Sequence, residues 1–348
     1  MQLSLADIRR TQGTHELTRA SADHLVKLKH GIALSVCPEW CSYPPWEKWE
    51  IIAKARILAA WSALGPSVTF TAHSALALHG LTGWVANPDV VVRTTSRYPT
   101  STLPSVTIGT TTVPRVFLRQ SRTSPVTKTV HFGDLRVDSL HDVAIDFAAG
   151  AHPLEAFVAV SAILRKLCGF NRFTPESSVP QANNVRRSLL ALLESAPTRR
   201  GVRRAHRILT HADPGCENVA EAALLWVLLT VAPEPPLTQF EVSPRGKRYF
   251  FDIALPGLRI AFEFDGMGKM GTSEAEFLRL QREMLDRQRI LERAGWRIVR
   301  IQWQDFTDFD ALRRRLADEI GTRTGQGPWS QLWKPVPVSL NGPERRFL

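Results

Sequence analysis

Apolar and polar residues alternate most regularly between Lys247 and Gly266. Phe250, Phe251, Ile253 and Leu255 favour one strand; Leu258, Ile260, Phe262 and Phe264 favour a second. Pro256-Gly257 between them predicts a type II turn, because proline presets φ and glycine accepts a positive φ. Leu255 then opposes Leu258. Asp252 opposes Ala261, with Glu263 as its diagonal neighbour. Side chains alternate faces along a strand, so Asp252, Glu263 and Asp265 share one face. Phe251, Ile253, Ile260, Phe262 and Phe264 share the other, which is a core face. Three crowded carboxylates repel one another and resist ionising together. A bound cation is the simplest physical reason to keep them; a solvated sheet face is the plain alternative.

The remaining pattern divides the chain. Residues 1–40 predict a small winged-helix-like module. In it, Leu3, Leu5, Ile8 and Leu17 lie at loose helical spacing, and a basic hairpin turns at Gly31. Lys27 and Lys29 on that wing are candidate phosphate contacts, and a capping subdomain with a solvated basic edge is the competing reading. Residues 46–168 predict an α/β domain: a helix over 47–64, a short helix over 71–80, a Val- and Thr-rich strand region over 89–145 and a helix over 139–168. Ser139 is the expected N-cap of that last helix. Residues 169–210 read as a basic linker and helix in which Arg200, Arg203 and Arg204 are candidate DNA contacts. Residues 211–325 follow the order α-β-β-α-β-α, a mixed sheet flanked by helices. Ser273 is the expected N-cap of its long helix and Gly295 the stop. A Pro/Gly-rich tail, 326–348, is expected to be poorly ordered. The fold class is therefore α/β.

Charge narrows the partners. The 348 residues carry a formal net charge of +11, which favours a polyanion, most simply DNA. No apolar run approaches the roughly 20 residues that a membrane span needs. The start lacks an apolar signal core, so the expected location is cytoplasmic. Cys37, Cys41, Cys168 and Cys216 are scattered without a second pair or His cluster, and free thiols are expected rather than a zinc site. His73 and His79, six residues apart, do not meet on one helix face and read as structural.

Magnesium takes hard oxygen ligands, usually one or two carboxylates plus water and phosphate. Asp252 and Glu263 on adjacent strands suit it. Arg287 and Leu291, at i and i+4, put a cation and a core contact on one helical face. The ordered set runs Glu221, Asp252, Glu263-Phe264-Asp265-Gly266, Arg287, Leu291, then Gly295-Trp296-Arg297-Ile298-Val299-Arg300. It resembles the PD-(D/E)XK nuclease superfamily, and within it the very-short-patch-repair-like endonuclease domain, over about residues 211–310. Thr71–Leu81 and Arg136–Ala148 are similar to the type IV antitoxin, abortive-infection family, whose members begin with a winged helix.

The resemblance implies a Mg²⁺- or Mn²⁺-dependent DNA endonuclease acting in DNA repair or phage defence. Asp252, Glu263 and Glu221 would hold the metal. It also implies a catalytic role for Arg287 and a lysine two residues after Glu263, where this chain has Asp265. Lys269, four residues further on, is the candidate replacement cation. Arg297 and Arg300 are candidate DNA contacts, and the N-terminal region is a candidate protein-binding surface. The alternative is a non-catalytic, antitoxin-like DNA-binding regulator that keeps a nuclease fold.

Overall fold

Long apolar helices alternate in this chain with short β-branched strands, and the two assemble into helices packed on mixed sheets. The computed structural model describes residues 7–10, 25–123, 127–195, 200–265, 274–343 and 345. Two compact units emerge. The first comprises residues 1–151, 191–200 and 337–347; the second comprises 152–190 and 201–336, with residue 348.

The first unit opens with a three-stranded antiparallel sheet of order β1-β3-β2, built from β1 (Ile8–Arg10), β2 (Leu25–Lys29) and β3 (Ile32–Ser35). The expected basic hairpin around Gly31 is β2-β3. Ile8, expected on a helix, is instead on β1 opposite Leu34. The other helical positions expected before residue 25 lie outside the described residues. Helix α1 (Pro45–Leu64) buries Trp49, Ile51, Ile52, Ala55 and Ala59 against Leu28, Ile32 and Leu34 of this sheet. A second, six-stranded sheet follows. It contains β4 (Thr69–Phe70), then, after α2 (Ala72–Leu78), β5 (Val90–Arg93) and β6 (Ser101–Leu103). The short hairpin β7 (Val106–Ile108)–β8 (Thr111–Val113) stands apart from it. The strands β9 (Val116–Gln120), β10 (Val130–Phe132) and β11 (Leu135–Val137) complete the order β10-β11-β4-β5-β9-β6.

Two buried charges stitch this unit. Arg93 forks onto Asp138 at 2.8 and 2.6 Å, and Asp138 is fully buried. Arg56 donates to Asn87 and to the carbonyls of Pro104 and Pro114; burial and then Arg345 lower its pKa to about 10. His79 meets the Asp138 carbonyl and His73 packs edge-on against Phe147, so both are structural.

Helix α3 (Leu140–Gly150) closes the unit, with Ser139 accepting from the Asp142 N–H as its N-cap. The helix expected over 139–168 breaks here. Pro153 disfavours helical geometry at the residue before it, and His152 takes extended backbone. Helix α4 (Pro153–Cys168) therefore starts afresh and belongs to the second unit.

The stretch expected as a linker followed by one basic helix is two helices. The first is α5 (Pro175–Glu194) and the second α6 (Val202–His211). Arg186 of α5 donates to the carbonyls of Leu209 and Ala212, satisfying acceptors at the α6 C-terminus. Helix α7 (Val219–Leu229) is capped by Asn218 and, apart from Glu221 in its first turn, is apolar on every face, as suits a helix covered all round.

The four-stranded sheet has order β12-β13-β14-β15. Its strands are β12 (Leu237–Val242), β13 (Tyr249–Leu255), β14 (Ile260–Phe264) and β15 (Arg297–Ile301). Helix α8 (Glu274–Arg293) joins β14 to β15, which are parallel. Leu291 is fully buried with Tyr249, Phe251, Ala254 and Ala261. Fully burying a phenylalanine such as Phe251 or Phe262 contributes roughly 1.5–3 kcal/mol. Ser273, the expected N-cap of α8, lies outside the described residues.

Helix α9 (Phe309–Ile320) follows β15. The tail does not behave as expected. Leu332 is buried, Trp333 stacks on Trp226 at 4.8 Å, and the Arg313 guanidinium lies 4.4 Å over Trp333. In the first unit Arg345 reaches Asp89 and the Asn87 carbonyl. Aromatic and arginine anchors hold a stretch whose Pro and Gly content alone reads as loose.

Candidate functional site

The β13-β14 hairpin differs from expectation in its turn. Ile253 pairs with Phe262, Ala254 with Ala261 and Leu255 with Ile260. The loop holds four residues, Pro256 to Arg259, rather than two. The Leu258 N–H bonds to the Leu255 carbonyl and the Arg259 N–H to the Pro256 carbonyl. The positive φ falls on Arg259, at 53°, and not on Gly257. A two-residue type II turn splays strands against their natural twist, whereas a longer loop ending in a left-handed residue matches it. The register therefore moves by two residues. A two-residue shift leaves every side chain on its face. It also brings Asp252 level with Glu263, closer than the predicted diagonal.

There the ladder gives way to side chains. Asp252 Oδ2 accepts from the Phe264 N–H at 2.9 Å. Glu263, 4 % exposed, lies in a fork from α8: Arg287 Nη1 is 3.0 Å from Oε2 and Nη2 is 2.5 Å from Oε1. Arg287 Nη2 also donates to the Phe250 carbonyl at 2.8 Å. Arg300 on β15 binds Asp265 at 2.6 Å and stands 3.7 Å from Glu263. The predicted i, i+4 face of α8 thus holds as drawn, with Leu291 inward and Arg287 on the acid.

Glu221 comes from the first turn of α7. Its Oε2 accepts from the Glu217 N–H and its Oε1 from the Asn218 amide, which explains a carboxylate at a helix N-terminus. It is only 5 % exposed. Burial, and then the charge of Asp252, raise its pKa to about 7.

That shift has a sign. In the unfolded chain the carboxyl titrates near 4.5, so between about 4.5 and 7 the folded state holds the extra proton. Stability then falls as pH rises through that window, by up to about 3 kcal/mol, and stays low above it. Denaturant unfolding at pH 5 and pH 8 without divalent ions should reveal the drop, and Glu221→Gln should flatten it. A slope unchanged by the substitution would assign the drop to other groups.

The sheet also supplies a residue to which the sequence pattern assigns no role. Gln239 sits mid-strand with φ of 48°, unusual for a non-glycine residue. The β12-β13 pairs run on either side of it and set it level with Asp252. Arg172 donates to its Oε1 at 2.8 Å. Its Nε2 is buried and has no partner among the described residues. A lone glutamine within a strand looks like any solvated position, so only the backbone strain and the orphaned donor mark it. Arg172 was equally hidden, inside the presumed linker.

The other expected residues scatter. Arg297 is engaged by the Glu319 side chain and carbonyl on α9, and Arg300 by the acids named above. Arg297 is exposed despite this pairing, whereas Arg300 is half-buried against its acids. Arg203 of α6 is exposed, Arg204 half-buried and Arg200 exposed in the first unit. Lys27 is exposed, while Lys29 donates to Ser101. Lys269 lies outside the described residues. All four cysteines are free, and burial raises the Cys216 thiol well above its ordinary value.

Among the described residues, no group of three acidic, imidazole or thiol side chains forms a ready metal cluster. The donor chemistry nevertheless fits a hard divalent ion. Glu221 and Asp252 offer oxygen only, and both the burial that chiefly raises Glu221 and the lesser repulsion from Asp252 are what a bound cation offsets. Glu263 would join them by exchanging part of its arginine fork for the ion. No described helix is long and apolar enough to cross a membrane.

The fold and site thus define an α/β protein whose second unit gathers acids and arginines on one four-stranded sheet. The chain matches no protein-family model, no curated protein and no solved structure.

Proposed function

We propose that the second unit is a metal-dependent DNA endonuclease domain that hydrolyses phosphodiester bonds in the cytoplasm, with Mg²⁺ or Mn²⁺ held by Asp252, Glu263 and Glu221. The observation that carries this reading is the placement of Asp252, whose charge acts on Glu221, on the strand beside Glu263, which Arg287 and Arg300 face, in a chain of net charge +11. A bound divalent ion supplies an acidified water and positive charge for phosphoryl oxygens.

The protein's own groups supply the rest. Arg287 presents a planar fork that suits phosphate as well as carboxylate, so an entering phosphate competes with Glu263 for it. Gln239 Nε2, a donor with no acceptor among the described residues, would bond a substrate oxygen. Asp265 stands where the resembled superfamily has lysine, and Lys269 is the candidate for that positive charge. Lys27, Lys29, Arg200, Arg203 and Arg204 would meet DNA phosphates outside the reacting centre, and the N-terminal region remains the candidate surface for a protein partner.

A second reading, a DNA-binding regulator that does not cut, draws on one observation. Glu263 and Asp265 already have arginine partners, which is how a stable, non-catalytic sheet would neutralise them. Nicking of plasmid and single-stranded DNA with Mg²⁺ or Mn²⁺ separates the two. Cutting by wild type that Asp252→Ala and Glu263→Ala both abolish supports the nuclease. Equal cutting by all three proteins defeats it. Tight metal-free DNA binding with no cutting by any of them favours the regulator.

A further inference from the structure

Beside the acids, two phenylalanines and two arginines converge. Phe173 lies between α4 and α5 and is 56 % exposed, unusual for so large an apolar side chain. It meets Phe250 of β13 edge-on, with ring centroids 5.3 Å apart at 80°. The Arg172 guanidinium lies 5.3 Å over Phe173 and 5.4 Å over Phe250, and that of Arg248 lies 5.4 Å over Phe250. Glu217 and Glu241 neutralise these arginines at their edges. What the two arginines offer is thus chiefly a flat face rather than free charge. The surface is shaped for stacking more than for holding phosphate.

The cluster is tied to the acids twice. Arg287 holds the Phe250 carbonyl while it forks onto Glu263, and Arg172 holds Gln239 level with Asp252. Phe250 and Asp252 are two residues apart on one strand, about 7 Å. A chain of bases following a phosphate at the acids would reach Phe173 within its next nucleotides. The net charge of +11 favours a polyanion, and an exposed ring flanked by guanidinium planes favours one with unstacked bases.

We propose that Phe173, seated on Phe250 and Arg172, is a stacking subsite for an unpaired nucleobase, so that the domain engages single-stranded DNA. A paired duplex keeps its bases stacked on one another and leaves the ring uncovered. The subsite deepens the nuclease reading by naming a substrate class, but its binding test requires neither metal nor cleavage.

The test is fluorescence anisotropy in EDTA with a short single-stranded oligothymidylate and a blunt duplex of the same length. Phe173→Ala should weaken single-strand binding roughly ten- to hundredfold, with duplex binding changed less than twofold. Phe173→Trp should retain it. An oligonucleotide carrying 2-aminopurine should be quenched by wild type and not by Phe173→Ala. Wild-type affinity of the alanine variant for the single strand, or equal loss on both ligands, overturns the subsite. The reading beneath it fails separately: Phe173-dependent quenching in a protein that never cleaves DNA keeps the subsite and removes the nuclease. Cleavage without any dependence on Phe173 does the reverse.

Discussion

Arg287→Ala should destabilise the protein by about 3 kcal/mol, and Glu263→Gln placed in the same chain should recover much of that loss. Glu263 is buried to 4 % exposure, and a carboxylate so placed needs partners. Arg287 supplies a bidentate fork at 3.0 and 2.5 Å and also satisfies the Phe250 carbonyl. Alanine leaves two acceptors short together. Arg300, at 3.7 Å from Glu263, offsets part of the charge and holds the loss toward the lower end of the 3–5 kcal/mol range for breaking a buried pair. Urea unfolding of the single and double variants measures both steps. If the two losses simply add, the pair is not coupled and the fork does not hold the sheet.

The second large effect falls on cleavage. On the proposed nuclease reading, Asp252→Asn should slow Mg²⁺-dependent nicking on the order of a thousandfold, the several kcal/mol that a metal ligand's charge would supply. Asparagine is the discriminating change. It keeps an oxygen for the Phe264 N–H, now met by Asp252 at 2.9 Å, and loses only the charge. A purely structural Asp252 therefore predicts an active Asn variant. Alanine removes both roles and confounds them. Because Asp252 raises the pKa of Glu221, the Asn variant should also be more stable than wild type at pH 8 in the absence of metal. Loss of activity with gain of stability is a combination that misfolding does not produce.

Local chemistry made much of this legible. The Ser139 cap, the stop at Gly295, the strand alternation around Asp252 and Glu263, and the Arg287–Leu291 face each rest on residues within a few positions of one another. The same locality explains some misses. Pro153 signalled a break that the apolar run on both sides concealed. The tail's prolines outweighed Trp333, whose partner Trp226 lies more than a hundred residues away.

Sequence by itself determined the α/β class and the face shared by Asp252, Glu263 and Asp265. Backbone pleating imposes that alternation whatever the rest of the chain does, and a two-residue change of register preserves it. Tertiary structure alone decided which charges meet: Arg287 on Glu263, Arg300 on Asp265, and buried Glu221 raised to about 7 beside Asp252. Those pairings join separate strands and helices. Their strength comes from burial, which depends on what the remaining elements pack against them.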